Sequence, residues 1–356
     1  MNTRPRIEFN DEGICNACQW AEEKKNHINW GERENELKTL IEEKKKDGAI
    51  YDCIVPVSGG KDGSYVAYML REEFGLNPLT VTIRPPLELE IGQKNLVSFI
   101  DSGFDHMHIT PNPTGMRKLD AIGFKEYGQG YFGWLIAIHT AVIRIAEKFG
   151  INLVIYAEDG EVEYGGSTEN KYKSCYTFEK MKNQYLCGTY KEIMEKANLT
   201  DKERYWYDFP NGDQDITFTH FSYFKAWDSY QNYIIAKEKM GLTELDEGTV
   251  GTFTNFAQND QELASLHYYL MYIKFGFGRA TQDAGIEIRR GAMTRDQAIQ
   301  LVRLFDNQPP TKSYEKFAQY FRMSKEEFHK TIEKFVNKDL FESDGQGNVK
   351  PKFNIV

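Results

Sequence analysis

Long hydrophobic runs are missing from this 356-residue sequence: no window approaches the ~18 consecutive apolar residues of a membrane-spanning helix, although 40% of the residues are hydrophobic. Basic charge is also scarce. With 44 Lys and Arg against 53 Asp and Glu, the formal net charge is −9, which disfavours a protein that wraps duplex nucleic acid through a basic face. Cysteine is limited to Cys15, Cys18, Cys53, Cys175 and Cys187, an odd number in a long chain, so a disulfide framework is not expected. Residues 1–9 include Arg4, Pro5 and Arg6 and carry no apolar core of a secretory signal, giving a cytoplasmic expectation. Internal repeats, low-complexity tracts, a His-Glu-x-x-His motif and a nucleophile elbow are all missing, and with them the common hydrolase readings.

What is present is an alternation of strand and helix. Residues 51–57 (YDCIVPV) form a short β-branched run that leads into Ser58-Gly59-Gly60-Lys61-Asp62-Gly63-Ser64, and the helical pattern from Tyr65 to Phe74 closes at Gly75. Strands are then expected at Leu79–Ile83, Asp105–Thr110 and Leu153–Tyr156, with helices at Ile91–Ser102, Thr114–Tyr127 and Gly133–Phe149. Such alternation predicts an α/β fold with a parallel sheet covered on both faces. Ligands of these sheets sit beyond the carboxyl ends of the strands. Three regions are expected: a Cys-x-x-Cys appendage (1–30), a nucleotide domain (31–170), and a mostly helical substrate or partner domain (171–356) that includes a capped helix starting at Ser324.

The glycine turn carries the chemistry. A strand ending in Ser-Gly-Gly and opening a helix presents backbone N–H groups and the positive helix end to an anion, with Ser58, Ser64 and Lys61 as further donors. It is not a Walker A loop, because Asp62 follows Lys61 where Ser or Thr is required. Gly128-Gln-Gly-Tyr-Phe-Gly133 matches a dinucleotide fingerprint in letters only, since no strand precedes it, and is read as a loop. Cys53 is read as a core residue, and His106, His108 and His139 as structural.

Val57 to Ser64 resembles the PP-loop of the ATP pyrophosphatase superfamily, which cleaves ATP to AMP and pyrophosphate. Gly63 is an extra residue relative to the usual Ser-Gly-Gly-x-Asp-Ser. A broader resemblance is to bacterial N-acetyl sugar amidotransferases of surface-glycan pathways, of the pseudaminic acid, legionaminic acid and O-antigen type. Asn2 to Cys18, the loop, Ile155 to Gly160, Lys274 to Asp283 and Glu287 to Gly291 carry it. Relatives of this kind often have a further Cys-x-x-Cys upstream of the Asn2-Thr-Arg-Pro5 segment.

The resemblance implies a sheet of the adenine nucleotide alpha hydrolase (HUP-like) type, ATP and Mg²⁺ as cofactors, and formation of an acetamidino sugar from an acetamido sugar and ammonia. It implies pyrophosphate contacts from Ser58, Gly59, Gly60, Lys61, Gly63 and Ser64, Mg²⁺ or loop-amide contacts from Asp62, and an adenine-side contact from Arg84. Glu158 and Asp159 either face the same site or cap the following turn. Lys274, Arg279, Asp283, Arg289 and Arg290 are candidates for an anionic sugar, or else pair with one another and with Glu287. Cys15 and Cys18, joined by Cys175 and Cys187, are the candidate Zn²⁺ ligands. With no glutaminase signature in the chain, ammonia is expected from a separate glutaminase subunit with a cyclase-like partner; a homo-oligomer is compatible with the sequence. Two other classes are compatible with the same residues: a PP-loop enzyme that thiolates tRNA through its cysteines, and a nucleotide sensor without turnover.

Overall fold

The computed structural model describes residues 2–176, 190–210 and 215–356. Among them a six-stranded sheet runs in the order β3-β2-β1-β4-β6-β5, built from β1 (Cys53–Pro56), β2 (Pro78–Ile83), β3 (His106–Ile109), β4 (Leu153–Tyr156), β5 (Cys175–Tyr176) and β6 (Thr217–His220). Every pairing is parallel except that of β5 with β6. The architecture is therefore the expected α/β type, with the glycine loop leaving the central strand.

Successive side chains of a strand point to opposite faces, and here both faces are buried. Cys53, Val55, Leu153 and Ile155 face one core, with α2 (Trp30–Lys44), α3 (Lys61–Glu72), α4 (Glu90–Asp101) and α9 (Ser229–Met240). Ile54, Val81 and Val154 face the other, with α5 (Pro113–Ile122), α6 (Phe132–Phe149) and α8 (Tyr190–Ala197). A third core unites α10 (Leu263–Phe275), α13 (Tyr314–Phe321) and α14 (Lys325–Lys334) around Tyr269, Phe317 and Phe328. Ser324 accepts the Glu327 N–H, fixing the expected start of α14.

The expected boundaries differ in three places. The sheet does not stop at residue 170: β5, β6 and α9 come later in the chain, and α9 packs along α3. The β6 segment is only Thr-Phe-Thr-His, too short and polar to read as a buried strand before its pairing with β4 is known. The first 30 residues are not a detached appendage either. Asn16 Nδ2 donates to Gly166 O at 2.7 Å, and Trp20 Nε1 to Glu163 Oε1 at 3.0 Å, joining α1 (Asn16–Asn26) to α7 (Gly160–Tyr164). Finally, a hairpin of β7 (Phe341–Ser343) and β8 (Val349–Pro351) lies in the region expected to be helical. Gly128 to Tyr131 is a loop leading into α6, whose first turn takes Phe132 and Gly133, and it follows a helical segment rather than a strand, as read from the sequence.

One buried acid ties the layers together and sets a pH response. Asp120 is fully buried, accepting from Gly133 N and Tyr320 Oη, each at 2.7 Å. Burial pushes its carboxyl up from 3.8 to about 7. Between those values the native state holds a proton that the unfolded chain has lost, so stability falls as pH rises through that window. Urea midpoints measured at the two ends of the window are expected to differ in that sense, and Asp120→Asn is expected to flatten the slope. An unchanged slope in the variant would assign the response elsewhere.

Candidate functional site

The sheet reverses its winding between β1 and β4, and at that switch point the chain leaves β1 through Ser58–Gly60 into α3. Gly59 has φ +79°, and a Cβ there would lie 2.5 Å from the Leu96 N of α4. Gly60 caps α3 with no side chain over the helix end, leaving the first N–H groups available to an anion. Gly63 sits where α3 crosses β1: a Cβ would stand 2.7 Å from Pro56 O. Glycine at this position is thus a contact requirement, and Ser64 is buried in the first turn at 1% exposure.

Lys61 is buried and pairs with Asp62, whose other oxygen accepts from Asn232 Nδ2 of α9 at 3.1 Å. Glu158, just past β4, belongs to the same group. Burial first and the Asp62 charge second raise its carboxyl to about 7, while Lys61 opposes the rise and Tyr164 Oη donates to it at 3.2 Å. Arg279, on α11 (Arg279–Arg289), interacts with Glu158 and Tyr164 across the site. A narrow cleft is lined by Lys61, Ser229, Tyr230, Arg279, Asp283 and Glu287. Two cations and the open helix end thus converge beside two carboxylates, an arrangement suited to a polyphosphate and a divalent cation.

Asp283 holds Arg279 in place. Its Oδ1 lies 2.8 Å from Arg279 Nε, and its Oδ2 accepts from Thr252 Oγ1 at 2.6 Å and Thr254 Oγ1 at 2.8 Å. With both oxygens engaged, Asp283 positions the arginine. Breaking such a buried pair costs about 3–5 kcal/mol. Asp283→Asn is accordingly expected to lower the unfolding midpoint measurably; an unshifted midpoint would show that the pair is not a stabilising contact.

Several sequence candidates lie elsewhere. Lys274 does not face the cleft: its Nζ donates to Tyr127 O at 2.9 Å and Gly128 O at 3.1 Å, and burial brings its ammonium down to about 8. It ties α10 to the loop before α6. Asp159 takes the capping alternative, accepting from Glu161 N at 3.0 Å at the start of α7. Arg84 points to Glu88 Oε2 at 3.2 Å, half exposed. Arg290 pairs with Glu287 at 2.6 Å. Arg289 lies in the wall of a second, larger cavity, beside Cys15 and Cys18.

The four-cysteine zinc site is not formed by the described residues. Among them no group of three or more His, Cys, Asp or Glu is placed to hold a metal ion. Cys175 is at the sheet edge opposite Thr219, and Cys187 lies outside the described residues. Two thiols alone do not fit tetrahedral Zn²⁺. Cys15 and Cys18 interact with one another, and the hydrogen bond from Cys18 draws the Cys15 thiol down to about 5. Cys53 is fully buried in its strand, as expected of a core residue.

Tyr164, Asn232, Thr252 and Thr254 were not among the sequence candidates. Tyr164 stands in the polar, glycine-containing stretch that follows β4, whereas Asn232 lies mid-helix with no local signal.

Fold and site together define a class: a largely parallel α/β protein with a glycine loop and an uncapped helix start at the switch point of its sheet. Within the chain, residues 250–353 match the family model described as LPS biosynthesis protein WbpG-like, C-terminal domain. A stretch of 81 residues, 23% of the chain, is 33% identical to an uncharacterized protein of Methanocaldococcus jannaschii and spans only 28% of that protein's length. Among solved structures, the U34-tRNA thiolase NcsA from Methanococcus maripaludis with its 4Fe-4S cluster is similar with a TM-score of 0.31 and 10% identity, over 81% of this chain and 78% of that one. Similarity at that level bears on neither mechanism nor substrate.

Proposed function

We propose that this chain is an ATP-dependent amidotransferase that converts the acetamido group of an N-acetylated sugar into an acetamidino group during surface-glycan biosynthesis. One observation carries the reading. Arg279 and Asp283, within the segment that matches the WbpG-like C-terminal domain, fold into the same cleft as Lys61 of the glycine loop. A glycan-type domain and a phosphate-type loop therefore share one site.

An amide carbon is a poor electrophile and its oxygen a poor leaving group. In the proposed reaction the acetamido oxygen attacks the α-phosphorus of ATP and pyrophosphate departs. Ammonia then adds to the carbon, and the oxygen leaves with AMP. Lys61, Arg279 and the N–H groups at the start of α3 bind the polyphosphate and offset charge as the bond to pyrophosphate breaks. Asn232 fixes the Asp62 carboxylate, and Asp62 and Glu158 would hold Mg²⁺ together with the phosphates. When bound, Mg²⁺ supplies further neutralisation of phosphate charge. Ammonia would come from a glutaminase subunit with a cyclase-like partner. No helix of the described residues is long and apolar enough to cross a membrane, and the reaction is proposed for the cytoplasm, where ATP is present.

The experiment is pyrophosphate release from ATP with ammonium, screened over acetamido sugar acids, their nucleotide-linked forms and tRNA, with mass spectrometry of the acceptor. The expected product is a sugar whose mass has changed by exchange of O for NH. The low-lying Cys15 thiol favours a second reading, thiolation of tRNA by a cysteine-borne sulfur. Exchange of O for S on tRNA, dependent on a sulfur donor, would replace the first reading with the second.

A further inference from the structure

Beyond the Lys61 cleft lies a cavity of ≈ 390 Å³ between α1, the Ala226–Ser229 turn and α11. Its volume falls in the range of small-molecule sites, about 300–1,000 Å³. Ser229 and Ile286 line both this cavity and the Lys61 cleft, so the two are neighbours through a shared wall. Trp20, Trp30 and Trp227, three of the five tryptophans in the chain, face it. Aromatic faces of this kind take the C–H face of a pyranose or the methyl of an acyl group.

The carboxylates of the lining are already engaged. Glu163 is engaged by Trp20 Nε1 and Lys24, and Asp228 caps α9 by accepting from Tyr230 N at 2.9 Å and Gln231 N at 3.2 Å. Lys24 and Arg290 have their own carboxylate partners. Arg289 has none among the described residues, its neighbours being Arg4 and the Cys15–Cys18 pair. A partly buried guanidinium without a carboxylate, beside tryptophan side chains, describes a pocket for an anion attached to a partly apolar ring.

We infer that this cavity is the acceptor pocket: it takes an anionic N-acylated sugar, with the anion on Arg289 and the ring against the tryptophans, so that the acyl group reaches the Lys61 cleft across the Ser229–Ile286 wall. The anion is a carboxylate in a sugar acid or a diphosphate in a nucleotide sugar. This assignment rests on the sugar reading above.

Because the tryptophans line the pocket, intrinsic fluorescence reports occupancy. The full chain would be titrated with N-acetylneuraminate as the carboxylate probe and UDP-N-acetylglucosamine as the diphosphate probe. Saturable quenching by one of them is expected, and which one identifies the anion. In Arg289→Met its affinity is expected to fall about tenfold or more, with binding of a fluorescent ATP analogue unchanged. Lack of quenching by both probes, or equal affinity in the variant, would overturn the pocket. Pyrophosphate release separates the two claims. Sugar binding that depends on Arg289, without ammonium-dependent turnover, would keep the pocket and remove the amidotransferase reading. Sugar turnover with an unchanged KM in Arg289→Met would do the reverse.

Discussion

Replacing Lys61 by methionine is expected to reduce pyrophosphate release by about 10²–10³-fold, the usual size of losing one preorganised electrostatic group. Methionine conserves most of the aliphatic stem, which lies buried at 7% exposure, so the far-ultraviolet circular dichroism should be unaltered. The variant also carries a pH signature. Lys61 opposes the rise of the Glu158 carboxyl, which burial and Asp62 push up. Removing the positive charge favours the protonated acid, so the acid limb of the residual activity should move to higher pH. A variant that retains near-normal turnover with the parent pH profile would remove Lys61 from the site.

A comparably large effect is expected from Gly59→Ala, by a different route. The alanine would occupy a left-handed backbone at φ +79°, costing about 1–2 kcal/mol, and its Cβ would meet the backbone of α4 at 2.5 Å. Backbone cannot rotate aside as a side chain does, so the loop must lift from α4 and its N–H groups lose their common aim. Gly75→Ala provides the control, because that residue has φ +64° with nothing within 4 Å of the added carbon. Both variants share the conformational cost; only the first adds the collision. Gly59→Ala should therefore lose nucleotide binding and show a clearly lower unfolding midpoint, whereas Gly75→Ala should bind as the parent does. Equal behaviour of the two would mean that the close approach to α4 has no role.

The first half of the fold was legible because its elements are locally coded. Ile54, Val55, Leu153, Val154 and Ile155 form short apolar runs bounded by turn residues, and helices such as Phe132–Phe149 carry their own periodicity. The glycine loop was equally legible, since its residue types announce a tight turn between strand and helix, and Gly59 lies close against the backbone of α4. Past residue 170 the local code weakens. Thr217–His220 is a strand only because β4 offers it a ladder, and Ser229–Met240 gives no sign in its own letters that Asn232 will orient Asp62.

Charged residues were the hardest to assign, for an electrostatic reason. A lysine or arginine in a sequence shows its charge but not its counter-charge. Lys274 and Arg279, five residues apart, look alike as ligands for an anion; the first is used on the backbone carbonyls of Tyr127 and Gly128, while the second reaches the Lys61 cleft. The same holds for the cysteines, whose spacing suggests a metal and whose described positions leave Cys15 and Cys18 without Cys175.

By itself, then, the sequence determined the parallel α/β core and the glycine loop after β1, because these depend on side-chain periodicity and on glycine within a few residues. Tertiary structure alone decided which distant groups share the site: that Gly63 exists for the contact of α3 with β1, that Asp283 spends its oxygens on Arg279, Thr252 and Thr254, and that Arg289 faces a tryptophan-lined cavity. Ion pairing and cavity formation are set by distances between segments far apart in the chain, and no local pattern encodes those distances.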